Sequence, residues 1–137
     1  MHLLDTCIVI QVLRGNSFYQ ERLSQLRPQD TGICHHVYYE LMVGIEKARL
    51  SQQGKVVRKK EKALAQLLGY LACHSFTSEC AREAAQIRAN LEDDGNSIGA
   101  IDLLIAGTAR KLDLTLITDN ISEFQRVSGL KLEQWQA

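Results

Sequence analysis

Very short apolar segments alternate along this chain with longer segments of helical periodicity, and this alternation limits the possible folds more than any other feature. The strand candidates lie at Leu3-Leu4, 30–34, 71–76, 115–118 and Lys131-Leu132. The helical patterns lie between them, after Asp5 and at 17–26, 37–52, 55–70, 78–91 and 97–112. Short strands that alternate with helices indicate an α/β fold with a mainly parallel central sheet.

The length and composition favour one compact domain. The chain has 137 residues and a single proline, and no linker-like or repeated segment divides it. We therefore predict one domain over residues 1–137. The formal net charge is zero, so a nucleic-acid partner would have to bind a local basic patch.

The amino-terminal segment carries no targeting signal that we recognise. It is apolar, but Asp5 interrupts it and no basic residues precede the apolar run, as they do in a signal peptide. No window is as long and apolar as a membrane span. We expect a cytoplasmic chain that does not associate with membranes.

Two of the strand candidates end in an aspartate, and parallel α/β sheets bind ligands at the carboxyl ends of their strands. Asp5 follows the first strand and Asp119 follows the strand at 115–118. Each has a simpler interpretation, Asp5 as a helix N-cap and Asp119 as a turn residue before Asn120. Glu40, one turn into the helix after the second strand, could be a solvated side chain.

Asp102 is the least ordinary of the acidic residues. It lies in the segment IGAIDLLIAG, where apolar residues surround it on nearly all sides. A buried carboxylate is costly unless it is paired or binds a cation. The alternative is an interaction with the amino terminus of its own helix.

Together these acids predict a metal site. Asp5, Glu40, Asp102 and Asp119 all fall at strand ends or at the starts of the following helices, which share one edge of a parallel sheet. Ligation by oxygen alone suits Mg²⁺ or Mn²⁺. Such ions activate water and neutralise phosphate charge, which is the chemistry of phosphodiester hydrolysis.

Histidine and cysteine residues offer weaker alternatives. Cys34-His35-His36 and Cys73-His74 do not have the spacing of a zinc site. The pair His35-His36 could instead serve a metal-free ribonuclease that works by general acid–base catalysis. That interpretation leaves Asp102 unexplained.

Four segments of the chain, in their order and spacing, resemble the motif blocks of PIN-domain ribonucleases. They are LLDTCIVI, VYYELMVG, IGAIDLLIAGTA and LITDNISEF. The likeness covers essentially the whole chain and is greatest to VapC-type toxins of bacterial toxin–antitoxin pairs. The carboxyl-terminal segment ISEFQRVSGLKLEQW resembles the tail of these toxins. The resemblance implies a PIN-like three-layer fold, with the sheet between layers of helices.

The resemblance also assigns roles to residues. It implies that Asp5, Glu40 and Asp102 are the three main acids. Asp119 matches a fourth acidic position that is less constant in the family. The neighbouring Asn120 could complete the site in its place. Thr118 could orient the Asp119 carboxylate or be a buried strand residue. Cys7 departs from the asparagine often found at its position, which affects a supporting hydrogen bond.

As a VapC-type toxin, the chain would be a Mg²⁺- or Mn²⁺-dependent endoribonuclease that cuts structured RNA, often transfer RNA. The resemblance further implies a small VapB-type antitoxin that blocks the site, and a homodimer. The alternatives are a PIN-like module that binds RNA without cleaving it, and a DNA nuclease with the same metal chemistry.

Basic side chains that could contact RNA phosphates are numerous. One helix carries a run of them, which more often forms a solvated face. The candidates are Lys55, Arg58, Lys59, Lys60 and Lys62 in that run, and Arg82, Arg88, Arg110 and Lys111 elsewhere. Trp135 could stack on a base, although an anchor for the tail or a dimer contact is the more usual role of such a residue.

Overall fold

The computed structural model describes residues 1–136, which alternate short strands with helices. The strands are β1 (His2–Leu4), β2 (Thr31–Cys34), β3 (Ala72–His74), β4 (Thr115–Ile117) and β5 (Leu132–Glu133). The helices are α1 (Thr6–Leu13), α2 (Ser17–Ser24), α3 (His35–Leu50), α4 (Gly54–Tyr70), α5 (Ser78–Asp93), α6 (Ala100–Lys111) and α7 (Ile121–Phe124). A short 3₁₀ turn, Pro28–Asp30, precedes β2.

The five strands form one sheet in the order β3-β2-β1-β4-β5, and every neighbouring pair is parallel. This confirms the predicted α/β fold with a short-stranded parallel sheet. The amino-terminal strand β1 is the central strand, and Leu3 and Leu4 are completely buried in it. Asp5, which follows β1 directly, therefore lies in the middle of the carboxyl edge of the sheet.

Three helices begin at residues other than those predicted, and α4 differs by a single residue, since it begins at Gly54 rather than 55. Helix α3 begins at His35 rather than 37, because β2 runs into it without a loop and Cys34 is the extended residue before the first turn. Helix α6 begins at Ala100 rather than 97, because Gly99 has an extended backbone. The later start places Asp102 in the first turn of α6.

Helices α5 and α6 pack unusually closely. A Cβ atom on Gly107 of α6 would lie only 2.6 Å from the Cβ atom of Ala84 on α5, so only a glycine fits at this contact. Ile105, Ala106 and Ala109 are completely buried on the same helix. This packing fixes α6, and with it Asp102, against the rest of the core. None of the described helices is long and apolar enough to cross a membrane.

Candidate metal centre

Asp5 both caps a helix and lies at the centre of the candidate site. Its Oδ1 accepts a hydrogen bond from the Thr6 backbone N–H at 2.8 Å, as an N-cap does. Its Oδ2 accepts one from the Thr118 hydroxyl at 2.7 Å. The residue is 5% exposed, and burial raises its pKa even though these hydrogen bonds favour the charged form.

Glu40 lies in the second turn of α3 and is held toward Asp5 by the first residue of α1. The Thr6 hydroxyl donates a hydrogen bond to Glu40 Oε1, while the Thr6 backbone N–H donates to Asp5. One threonine thus joins two carboxylates that are distant in sequence. Glu40 also lines a groove between α1, α3 and α4.

Asp102 is the most perturbed acid of the site. Its pKa is raised to about 7, first by burial, then by a hydrogen bond to Glu123, and then by the negative charges of Asp5, Glu123 and Glu40. An aspartate that only satisfied the amino terminus of its own helix would have a lowered pKa, because the helix dipole favours the charged form. Asp102 is therefore better described as a member of a carboxylate cluster.

Glu123 is a member of this cluster that the sequence analysis did not single out. It lies in α7, a single turn that begins just beyond the carboxyl end of β4. The Asn120 side-chain amide donates a hydrogen bond to Glu123 Oε2 at 3.2 Å, so Asn120 orients an acid of the site. The signal in the sequence is the block NISEF, in which the fully buried Phe124 anchors the turn.

Asp119 faces the carboxyl-terminal tail. Its Oδ1 accepts hydrogen bonds from the backbone N–H groups of Trp135 and Gln136 at 3.1 and 2.9 Å, and its Oδ2 accepts one from the Tyr19 hydroxyl. The last bond raises the pKa of Tyr19 to about 12. Both carboxylate oxygens are thus engaged with the tail and α2, although the Asp119 charge still raises the pKa of Asp5.

Thr118 has a different role from the one predicted. Its hydroxyl donates to Asp5, not to Asp119, and accepts a hydrogen bond from the Asn120 backbone N–H at 3.0 Å. The reason is that β4 lies beside β1 in the sheet, so a buried side chain at the end of β4 faces the end of β1. Thr118 therefore orients the central acid of the cluster.

The histidine alternative receives little support from the geometry. The His36 ring packs edge-on against Phe76, with ring centres 4.4 Å apart. Burial, followed by the neighbouring His35, lowers the pKa of His36. A neutral ring packed against an aromatic side chain is poorly suited to donate a proton to a leaving group.

The cluster consists of oxygen ligands, the kind that hard divalent cations take. No salt bridge joins Asp5, Glu40, Asp102 or Glu123 to a basic side chain within residues 1–136, so their mutual repulsion is uncompensated. No three acidic, histidine or cysteine side chains of that range already meet at ligand distances. Carboxylates without a cation repel one another, and Mg²⁺ requires only one or two of them because it keeps several waters.

Comparison with known proteins identifies the family. A sequence model of the PIN domain matches residues 2–130 of the chain.

The chain belongs to the PIN-domain family.

Several relatives of this PIN domain match over nearly their whole length. It is 32% identical to the ribonuclease VapC2 of Rickettsia felis over 137 residues, which cover 98% of each chain. It is 31% identical to the tRNA(fMet)-specific endonuclease VapC of Shigella flexneri, over 97% of this chain and 96% of that one. The fold is similar to that in the crystal structure of VapBC2 from Rickettsia felis bound to a promoter DNA fragment, with a TM-score of 0.88, 31% identity and 98% coverage of each chain.

Cys7 is a distinctive residue in the site of this PIN domain. Its Sγ lies 3.5 Å from Asp5 Oδ2 and 3.7 Å from the Thr118 hydroxyl oxygen. Burial and the Asp5 charge raise its pKa, so the thiol stays protonated. A thiol is a weak donor, and the Thr118 hydroxyl therefore supplies the stronger hydrogen bond to Asp5.

The basic residues of this PIN domain fall into different surroundings. Lys59 and Lys60 line the same groove as Glu40, together with Arg14. Arg110 forms a salt bridge with Glu83 at 3.4 Å and donates a hydrogen bond to the Ser128 carbonyl, so it supports the fold. Others are solvated or paired on the surface: Lys55, Arg58, Lys62, Arg82, Arg88 and Lys111.

Trp135 anchors the tail. It is 7% exposed and packs near Tyr19, with ring centres 6.2 Å apart, and the Arg22 guanidinium lies 5.6 Å from the centre of its ring. A ring this buried is not available to stack on a base. Of the roles considered for it, the structure supports that of a tail anchor.

Proposed function

We propose that this PIN domain is a metal-dependent endoribonuclease that acts as the toxin of a toxin–antitoxin pair. The observation that carries the proposal is the carboxylate cluster at the carboxyl edge of the sheet, in which the pKa of Asp102 is raised to about 7 by burial and by neighbouring acids. Perturbed acids of this kind mark functional sites. The ribonuclease names of the full-length relatives support the reaction class.

Asp5, Glu40, Asp102 and Glu123 are proposed to hold the ion, which is Mg²⁺ or Mn²⁺. When bound, it activates a water and neutralises charge on the scissile phosphate. The protein supplies orientation: Thr118 and Thr6 fix the two oxygens of Asp5, and Thr6 also fixes Glu40. Asp102 must release its proton when the ion binds. Asp119 is proposed to support the site from the tail side.

RNA is proposed as the substrate, and structured RNA such as transfer RNA is the class that the endonuclease of Shigella flexneri suggests. A small VapB-type antitoxin is the proposed partner, by analogy with the complex from Rickettsia felis. An Arg or Lys side chain inserted by the antitoxin would pair with the uncompensated acids and block the site. A homodimer is proposed on the same resemblance. Tyr39 on α3 is an exposed aromatic side chain that the dimer interface would cover.

The test is an assay of the purified chain on structured RNA and on single- and double-stranded DNA, with Mg²⁺, Mn²⁺ or a chelator. We expect cleavage of RNA only, dependent on the metal, with 3′-hydroxyl and 5′-phosphate ends because the nucleophile is water. Products with 2′,3′-cyclic phosphate would instead indicate attack by the ribose hydroxyl and overturn the proposed mechanism. RNA binding without cleavage would indicate a binding module, and cleavage of DNA a DNA nuclease.

A further inference from the structure

A groove with a volume of about 590 Å³ opens beside the carboxylate cluster, between α1, α3 and α4. Glu40 lines it, so the groove is continuous with the candidate metal centre. Arg14 at the end of α1 and Lys59 and Lys60 on α4 also line it. The remaining lining is largely apolar, with Leu13 among the side chains that form it.

The three cations of the groove are not neutralised by the protein. Arg14, Lys59 and Lys60 form no salt bridge with any residue in the described range. On the same helices, Arg49 is paired with Glu46 and Glu61, whereas Lys55 and Lys62 are also without a salt bridge in that range, so what distinguishes Arg14, Lys59 and Lys60 is their place in the groove beside Glu40. With a net charge of zero, the chain can attract a polyanion only through such a local group.

We propose that this groove binds the RNA strand that extends from the scissile phosphate, with Arg14, Lys59 and Lys60 contacting phosphates that flank the cut. The apolar lining would receive a base of the same strand. This inference rests on the proposed ribonuclease function and adds to it the place where the substrate is held.

Charge and position favour RNA over a protein segment as the occupant. Any strand cleaved beside Glu40 must leave the site along the surface next to it, and it carries a negative charge at every nucleotide. Four carboxylates repel that strand, and cations in the adjoining groove offset the repulsion. An antitoxin segment that reaches the acids could also lie beside Glu40, and it is the protein occupant that the experiment below distinguishes from RNA.

The test compares cations inside the groove with cations on the same helix outside it. The double variant Lys59→Ala/Lys60→Ala and the single variant Arg14→Ala are matched by the control Lys55→Ala/Lys62→Ala, which removes the same charge as the double variant. Cleavage of a structured RNA gives kcat and KM. Binding is measured over a range of salt concentrations with a chelator present and in an Asp102→Asn background, so that the RNA is expected to stay uncut.

The groove variants are expected to raise KM at least several-fold with little change in kcat. The slope of log Kd against log salt should become shallower by about 0.7 for each phosphate that the variant no longer binds. The control should stay within twofold of the parent, and Lys59→Arg/Lys60→Arg should restore the parent slope because it retains both charges. This rescue separates loss of charge from loss of folding.

Equal KM values and salt slopes in the groove and control variants, with an active parent, would overturn the groove proposal alone. A parent that cleaves no RNA would instead contradict the proposed function. Groove variants that cut RNA normally but escape inhibition by the antitoxin would also overturn the proposal, since the groove would then be a protein interface.

Discussion

At the scale of single residues, Asp102 distinguishes a metal site from a structural acid. It is surrounded by three other carboxylates, and no described cation pairs with it. Asp102→Asn removes one charge and nearly preserves the shape of the side chain. In metal-free protein it should leave the free energy of unfolding unchanged or raise it by up to about 1 kcal/mol, the scale on which relief of site strain stabilises proteins.

The same variant should lose RNA cleavage, and Mn²⁺ should protect it less against heat because its affinity for the ion is lower. Thermal melts with and without Mn²⁺, beside a cleavage assay, measure both effects. A destabilised Asp102→Asn protein that still cuts RNA once folded would show that Asp102 serves the fold and not the site.

The raised pKa of Asp102, about 7 against an ordinary value of 3.8, also predicts a dependence on pH. Between these values the folded protein holds a proton that the unfolded chain has released. The free energy of unfolding of the metal-free protein should therefore be higher at low pH, and the contribution of Asp102 to it is lost as pH rises from about 4 to about 7. The bound ion must displace the same proton, so Mn²⁺ affinity should rise with pH up to about 7 and then level off.

Titration of Mn²⁺ by calorimetry at several pH values checks this expectation. The rise in affinity should be weaker in Asp102→Asn, whose side chain does not titrate. An affinity that is independent of pH in the parent protein would mean that no strongly shifted acid is linked to binding of the ion.

At the scale of elements, the segment after β4 carries two acids, Asp119 and Glu123, that have different surroundings in the structure. Glu123→Gln should weaken Mn²⁺ binding with little effect on stability, because Glu123 lies beside Asp102. Asp119→Asn should instead lower the free energy of unfolding by about 1–3 kcal/mol, since it weakens charge-assisted hydrogen bonds to the tail. The loss of Mn²⁺ affinity in folded Asp119→Asn protein should be smaller than the loss in Glu123→Gln protein.

Melting curves and Mn²⁺ titrations of the two variants make the comparison. A stable Asp119→Asn protein with greatly reduced Mn²⁺ affinity would return Asp119 to the ligand set that the sequence predicts.

The packing of α5 against α6 gives a second prediction at this scale. Gly107→Ala would place a Cβ atom 2.6 Å from that of Ala84, so the two helices must separate. We expect a loss of stability of about 1–3 kcal/mol, typical of overpacking, and weaker Mn²⁺ binding because α6 carries Asp102. Gly69→Ala on α4 is the control, since a Cβ atom there meets nothing within 4 Å. Equal melting temperatures for the two variants would contradict this account.

The sequence predicts elements and acids whose signals are local, and it fails where a partner is distant. Asp5 could be singled out because it follows a recognisable strand and Asp102 because it lies in an apolar helix, whereas Glu40 was assigned through the resemblance to PIN-domain ribonucleases. The tail contacts of Asp119 come from Trp135 and Gln136, and no local pattern indicates them. Glu123 was missed because α7 is only one turn long and has no periodicity to detect.

At the scale of the whole molecule, the acidic cluster should make stability depend on divalent cations. Mn²⁺ at a hundred times its Kd should raise the free energy of unfolding by about 2.7 kcal/mol, since it binds only the folded protein. Sodium chloride at equal ionic strength is the control, because it screens the carboxylates without binding among them. Equal stabilisation by both salts would mean that the cluster responds to screening alone.

The order of strands in the sheet has a consequence for how the protein is made. The central strand β1 is translated long before β4, with which it pairs at residues 115–117, and Thr118 and Glu123 follow later still. A ribosome therefore releases Asp5 well before the residues that orient and complete its cluster. A growing chain carries no complete site until the segment with Thr118 and Glu123 has been made. The topology thus makes assembly of the acidic cluster a late event in the synthesis of this domain.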